Sequence, residues 1–257
     1  MDVASTTRSV VDRARDEQIT FLAASIAYYV FFSILPLLLL ILAVGSLVGG
    51  QAFADRIVAA IGSNLSAQGE SIVAESLSNP QGRAGASLVG IVALLWSALK
   101  MFRAVDIAFD EVYGLDAEIS LLGQLKDGIL TLLLIALAAG FMIGLGVVIG
   151  LAESFGVPFL NVIGWLALLA GLLVVFLPVF YVMPPIDVTA REALPGAAFT
   201  AVGWLVLQVG FQIYASQAGS YDAYGALGGI LLFLTWLYFA GVIVLLGATI
   251  NAVTGGH

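Results

Sequence analysis

Six stretches of this chain are apolar over most of their length and are separated by shorter polar segments. They run from about Phe21 to Val48, Gly85 to Arg103, Gly128 to Leu151, Val162 to Val182, Leu194 to Ala215 and Leu227 to Val253. The last contains Ile230 to Ala248, nineteen residues without a charge. At about 1.5 Å per residue that is long enough to cross a hydrocarbon core of roughly 30 Å. None of the six alternates polar and apolar positions as a barrel strand does, so each is expected to be a helix. The pattern predicts an all-α fold, a polytopic membrane bundle of six transmembrane helices forming one domain over residues 1–257.

An even number of spans places both termini on one side. If that side is the cytoplasm, the inner segments hold Arg8, Arg13, Arg15, Lys100, Arg103, Lys126 and Arg191, and the outer ones only Arg56 and Arg83. That bias favours both ends inside, in the plasma membrane. Residues 1–18 then form a cytoplasmic N-terminal segment, charged and helical from Ser9 to Gln18, and 249–257 a cytoplasmic tail. The one sizeable outer segment, 50–84, carries two short amphipathic patterns, Phe53-Ile57-Ile61 and Ile72-Val73-Leu77, and is expected to cap the outer face as short helices. Residues 1–18 lack the apolar core of a cleavable signal, so the first span is expected to direct insertion.

Composition narrows the chemistry. Hydrophobic residues make up 61% and charged residues 10%, against about 25% charged in soluble domains. There is no Cys, and the single His is His257. Thiol chemistry is excluded, and no catalytic residue, metal site or cofactor is expected. A net charge of −8 with two lysines suggests a salt-loving organism and argues against nucleic acid as a partner.

Several positions are not explained by lipid as a solvent. Ser25, Tyr29 and Ser33 share one face of the first span, which Pro36 kinks; their hydroxyls either bond neighbouring backbone or line a cavity. Gln208 and Gln212, one turn apart on the fifth span, are either interhelical glue or a binding surface. Gly140 and Gly144, and likewise Gly225 and Gly229, have the four-residue spacing that lets backbones approach closely, inside the bundle or between copies. Lys100, Arg103, Asp106, Asp110 and Glu111 crowd one end of the second span. They either open a charged cavity for a headgroup, or lie on an interfacial helix whose cations reach the headgroups.

Three motifs carry a family resemblance across the chain. Asp16 to Tyr29 followed by Ser33-Ile-Leu-Pro36, Met101 to Gly114, and Tyr224-Gly-Ala-Leu with Leu234-Thr-Trp-Leu-Tyr238 and Leu246-Gly-Ala resemble the YihY/BrkB family of inner-membrane proteins. The resemblance implies six transmembrane helices with cytoplasmic ends. Where many members have an acidic residue after the last Gly-Ala, this chain has Thr249. Some members have carried a ribonuclease BN name and others a virulence label. These residues offer no nuclease constellation, so the chain is not expected to be an enzyme.

The expected function is a transporter or flippase-like protein for an amphiphilic or lipid-linked molecule. Lys100 and Arg103 would attract an anionic headgroup, with Asp106 setting their geometry and Ser25, Tyr29, Ser33, Gln208 and Gln212 as polar walls. The alternative is a non-transporting scaffold or envelope-integrity protein acting through partner proteins. Membrane lipid is the expected partner, and the oligomeric state is open.

Overall fold

The structure, a computed structural model, describes residues 3–34, 80–115, 123, 126, 130, 133, 137, 140, 144, 160–218 and 225–256. Every regular element among them is an α-helix. The bounded helices are α1 (Val3–Asp16), α2 (Ile19–Ile34), α3 (Pro80–Tyr113), α4 (Leu160–Val182), α5 (Ala190–Ala218) and α6 (Gly225–Gly255). The described residues from 123 to 144 are also helical, at spacings of three and four. Gly164–Val182, Ala190–Tyr214 and Gly228–Gly255 are each long and apolar enough to cross a membrane, and the bent pair α1–α2 adds a fourth if taken as one span. The expectation of an all-helical membrane protein holds at this level. Pro36 and most of segment 50–84 lie outside the described residues.

The charged N-terminal helix is longer than its polar pattern suggests, starting at Val3 rather than Ser9 and stopping at Asp16. α2 leaves it at 60°. The bend is made by Gln18, whose φ of 49° lies in the left-handed region. Its carbonyl accepts the amides of Phe21 (2.8 Å) and Leu22 (3.2 Å), closing the first turn of α2. A left-handed side-chain residue costs about 1–2 kcal/mol, and here that cost turns a polar helix into an apolar one.

Pro80 opens α3, where its missing N–H would have had no helical partner. The helix has 34 residues, about 51 Å at 1.5 Å per residue, and so outruns a core of roughly 30 Å.

The described chain forms two units. One comprises Met1–Ala27, Phe102–Asp222 and Thr235–His257; the other comprises Tyr28–Met101 and Ala223–Leu234. The first unit has a closely packed core. Ala193, Ala197 and Ala201 bury one stripe of α5, while Leu245, Ala248 and Ala252 do the same on α6. Phe109 of α3 meets Phe180 of α4 at 6.2 Å between ring centroids. Small residues let these backbones approach without losing dispersion contact. At Gly241 a Cβ would stand 3.2 Å from the Ala23 carbonyl of α2. In the second unit, Phe31 and Phe233 face each other at 6.3 Å.

Candidate functional site

α3 carries two different faces toward its C-terminal end. Trp96, Arg103 and Ile107 are exposed, and the Lys100 ammonium lies 5.2 Å from the Trp96 ring centroid. An aromatic ring beside a cation is what a helix presents where hydrocarbon gives way to headgroups. Asp106, only 6% exposed, turns into the packed side with Phe109, Val112 and Tyr113. Arg103 and Asp106 are three residues apart, yet one is exposed and the other buried. The surface therefore offers positive charge, and the Asp106 carboxyl is held inside.

The end of α3 is tied to two other helices. Leu115 N–H reaches the Asp110 carbonyl (3.0 Å) and Gly114 N–H that of Glu111 (2.9 Å), a Schellman closure. It requires the left-handed φ of 68° at Gly114. A Cβ there would stand 3.3 Å from Arg13 Nη2, so the α1 guanidinium lies against this turn, at the negative end of the α3 dipole. Burial pushes the Tyr113 phenol up to about 12, with Glu192 adding to the rise and Arg13 opposing it. The phenol therefore stays neutral at physiological pH. Glu192 itself closes a capping box. Its Oε2 accepts Thr189 N–H and the Thr189 hydroxyl, both at 2.8 Å, and Thr189 Oγ1 accepts Glu192 N–H at 3.4 Å.

The crossing of α5 and α6 holds a polar contact that the hydropathy pattern hides. Pro195 cannot donate to the Arg191 carbonyl, which loosens the helix there. Asn251, 1% exposed, fits into the loosened turn. Its Oδ1 accepts Gly196 N–H at 2.6 Å and its Nδ2 donates to the Ala193 carbonyl at 3.1 Å. Side-chain atoms reach that backbone because neither Gly196 nor Gly247 opposite it has a Cβ. The available sequence signals were a Pro-Gly step inside an apolar span, a lone Asn near the end of another, and Thr-x-x-Glu before a helix.

The remaining positions fall as follows. Ser25 and Ser33 donate to the carbonyls of Leu22 (2.8 Å) and Val30 (2.7 Å) in their own helix, and Tyr29 is half-buried. Gln208 and Gln212 are exposed, as are Gly140, Gly144 and Gly229, where a Cβ would meet open space at each glycine. Gly225 is the first residue of α6. Thr249 is buried and donates to the Leu245 carbonyl at 2.8 Å. Among the described residues no group of three or more His, Asp or Glu could hold a metal ion.

Comparison with known proteins adds a family. The model of the family described as Virulence factor BrkB matches residues 10–256. The ribonuclease-like protein YfkH of Bacillus subtilis (strain 168) is 30% identical over 245 residues, covering 90% of this chain and 88% of its own length. A UPF0761 membrane protein of Pseudoalteromonas translucida is 28% identical over 254 residues, covering 94% and 83%. Another, of Alkalilimnicola ehrlichii, is 28% identical over 93% of this chain, which spans only 56% of that relative. No solved structure matches. With a match running nearly end to end and several helices apolar enough to span a bilayer, the chain belongs to the Virulence factor BrkB family of membrane proteins.

Proposed function

We propose that the protein is a transporter or flippase-like carrier for an amphiphilic or lipid-linked molecule in the plasma membrane, built on six transmembrane helices with both termini cytoplasmic. The observation that carries this is the face of α3 on which Trp96, Lys100 and Arg103 follow one another turn by turn. Cations beside an exposed indole suit an anionic headgroup drawn from the adjoining leaflet. Asp106, buried on the other side, anchors this stretch of α3 so that the two cations keep their place.

The test is reconstitution in vesicles containing fluorescent short-chain phosphatidylglycerol, with movement between leaflets read by quenching of the outer label. Wild-type protein is expected to accelerate exchange. Arg103→Gln together with Lys100→Gln should slow it about tenfold, a loss of about 1.4 kcal/mol in the barrier, with an unchanged helical spectrum and melting temperature. Equal rates in both proteins remove the cations from the mechanism, and a wild type that moves no amphiphile overturns the carrier.

A further inference from the structure

The two faces of α5 differ in a way that assigns Gln208 a location. Val202, Val206, Val209 and Ile213 are 50%, 68%, 42% and 56% exposed. They fall within a stripe of about 60° at 100° per residue, and they are what a lipid-facing helix presents. Gln208 lies roughly 100–160° from that stripe. It stands instead within about 40° of Ala197, Ala201 and Trp204, the side on which both alanines are fully buried. Gln208 and, one turn on, Gln212 are nonetheless exposed. Neither amide makes a hydrogen bond with another described residue. The inward stripe that packs tightly at Ala197 and Ala201 thus opens at Gln208.

Aromatic rings lie to one side of the opening, Trp204 and Phe211 being about 40° and 60° around α5 from Gln208. Trp204 packs at a tilt against Phe176 of α4 and edge-to-face against Trp236 of α6, each at 5.2 Å between ring centroids, and Phe211 meets Trp236 at 6.3 Å. All of these belong to the first unit. Among the described residues, the helices that carry these rings are also free of formal charge along this stretch. α4 and α6 contain no Asp, Glu, Lys or Arg, and those of α5 are Arg191 and Glu192, about 24 Å of helix away from Gln208.

We propose that Gln208 and Gln212, with Trp204 and Trp236, bind an uncharged sugar-like headgroup. A carboxamide is donor and acceptor at once and carries no charge, so it matches hydroxyl groups where an ion would be poorly solvated. The indole faces accept the C–H face of a sugar ring, and pockets of this kind combine aromatic walls with a few placed polar groups. The assignment rests on the carrier proposed above and names the uncharged part of what it carries.

The test places the protein in phosphatidylethanolamine nanodiscs and adds octyl glucoside, octyl sulfate or octyltrimethylammonium below their micelle concentrations. Binding is read by indole fluorescence, in a background with Trp96 and Trp165 replaced by Phe. A saturable response to the glucoside, absent with the two charged probes, is expected. Gln208→Leu with Gln212→Leu should weaken it at least tenfold; Gln208→Ala serves should that pair fail to fold. Equal responses to all three probes, or unchanged affinity in the variants, overturn the assignment. A disulfide-linked dimer from Gln208→Cys in this cysteine-free chain would make the occupant a second copy and also overturn it. Phosphatidylglycerol movement separates the two proposals. If lipid moves but the glucoside binds without the glutamines, the carrier stands and the sugar site falls. If the glucoside response needs the glutamines but no lipid moves, the carrier falls alone.

Discussion

Replacing Asn251 with leucine removes an acceptor from Gly196 N–H and a donor from the Ala193 carbonyl, both buried beside Pro195. A buried backbone group left without a partner costs about 1–3 kcal/mol, and the variant should lose about that much, seen as a lower melting temperature in detergent. An unchanged melt would show that water reaches this turn. Tyr113 makes a pH-dependent contribution. Its phenol holds its proton up to about 12 in the fold against 10.0 in the free side chain. Below about pH 10 both states keep the proton and nothing changes. Between about 10 and about 12 the unfolded chain loses it first, so stability falls as pH rises through that window. Tyr113→Phe should melt with a smaller drop from pH ~9 to pH ~11 than the wild type. Neither residue stood out in the sequence. An Asn near a helix end and a Tyr before a Gly become distinctive only when another helix lies against them.

At the level of elements, local rules account for where helices begin and turn. Thr189-Ala-Arg-Glu192 caps α5, Pro80 opens α3, and Gly114 closes it. These were present in the sequence as short patterns. The way helices meet was not. Gly140, Gly144 and Gly229, picked out by their spacing, have open space around them, while Gly196, Gly203, Gly241 and Gly247 stand at contacts. Spacing identifies a flat face but cannot say which flat face has a neighbour. Gly247→Ala should test the α5–α6 crossing. The added methyl would collide with the Thr200 hydroxyl and stand 2.8 Å from the Phe180 ring and 2.9 Å from the Gly196 carbonyl. A loss of about 1–3 kcal/mol is expected from overpacking, whereas Gly140→Ala should melt like the wild type. Equal effects of the two would mean that the contact yields.

For the whole molecule, the orientation proposed from the Lys and Arg bias can be read in intact cells, because the chain has no native cysteine. Ser9→Cys and Thr254→Cys are exposed positions near the two ends. Both should resist a membrane-impermeant maleimide until the cells are permeabilised. Labelling of both from outside would invert the molecule, and labelling of one would require an odd number of spans. The cation pair of α3 belongs to this scale as well, since its effect on lipid movement depends on which leaflet it meets.

Hydropathy alone determined that this chain is helical and membrane-embedded, because a bilayer leaves an apolar segment no other way to satisfy its backbone. The three family motifs were likewise legible without coordinates. What depended on tertiary structure was the direction in which each polar side chain points. Ser25 and Ser33 turn back on their own helix, Asp106 turns inward from a helix whose Arg103 turns out, and Asn251 enters a turn 55 residues earlier in the chain. Helical period places residues on a face, and only the neighbour of that face makes it core, lipid boundary or binding wall.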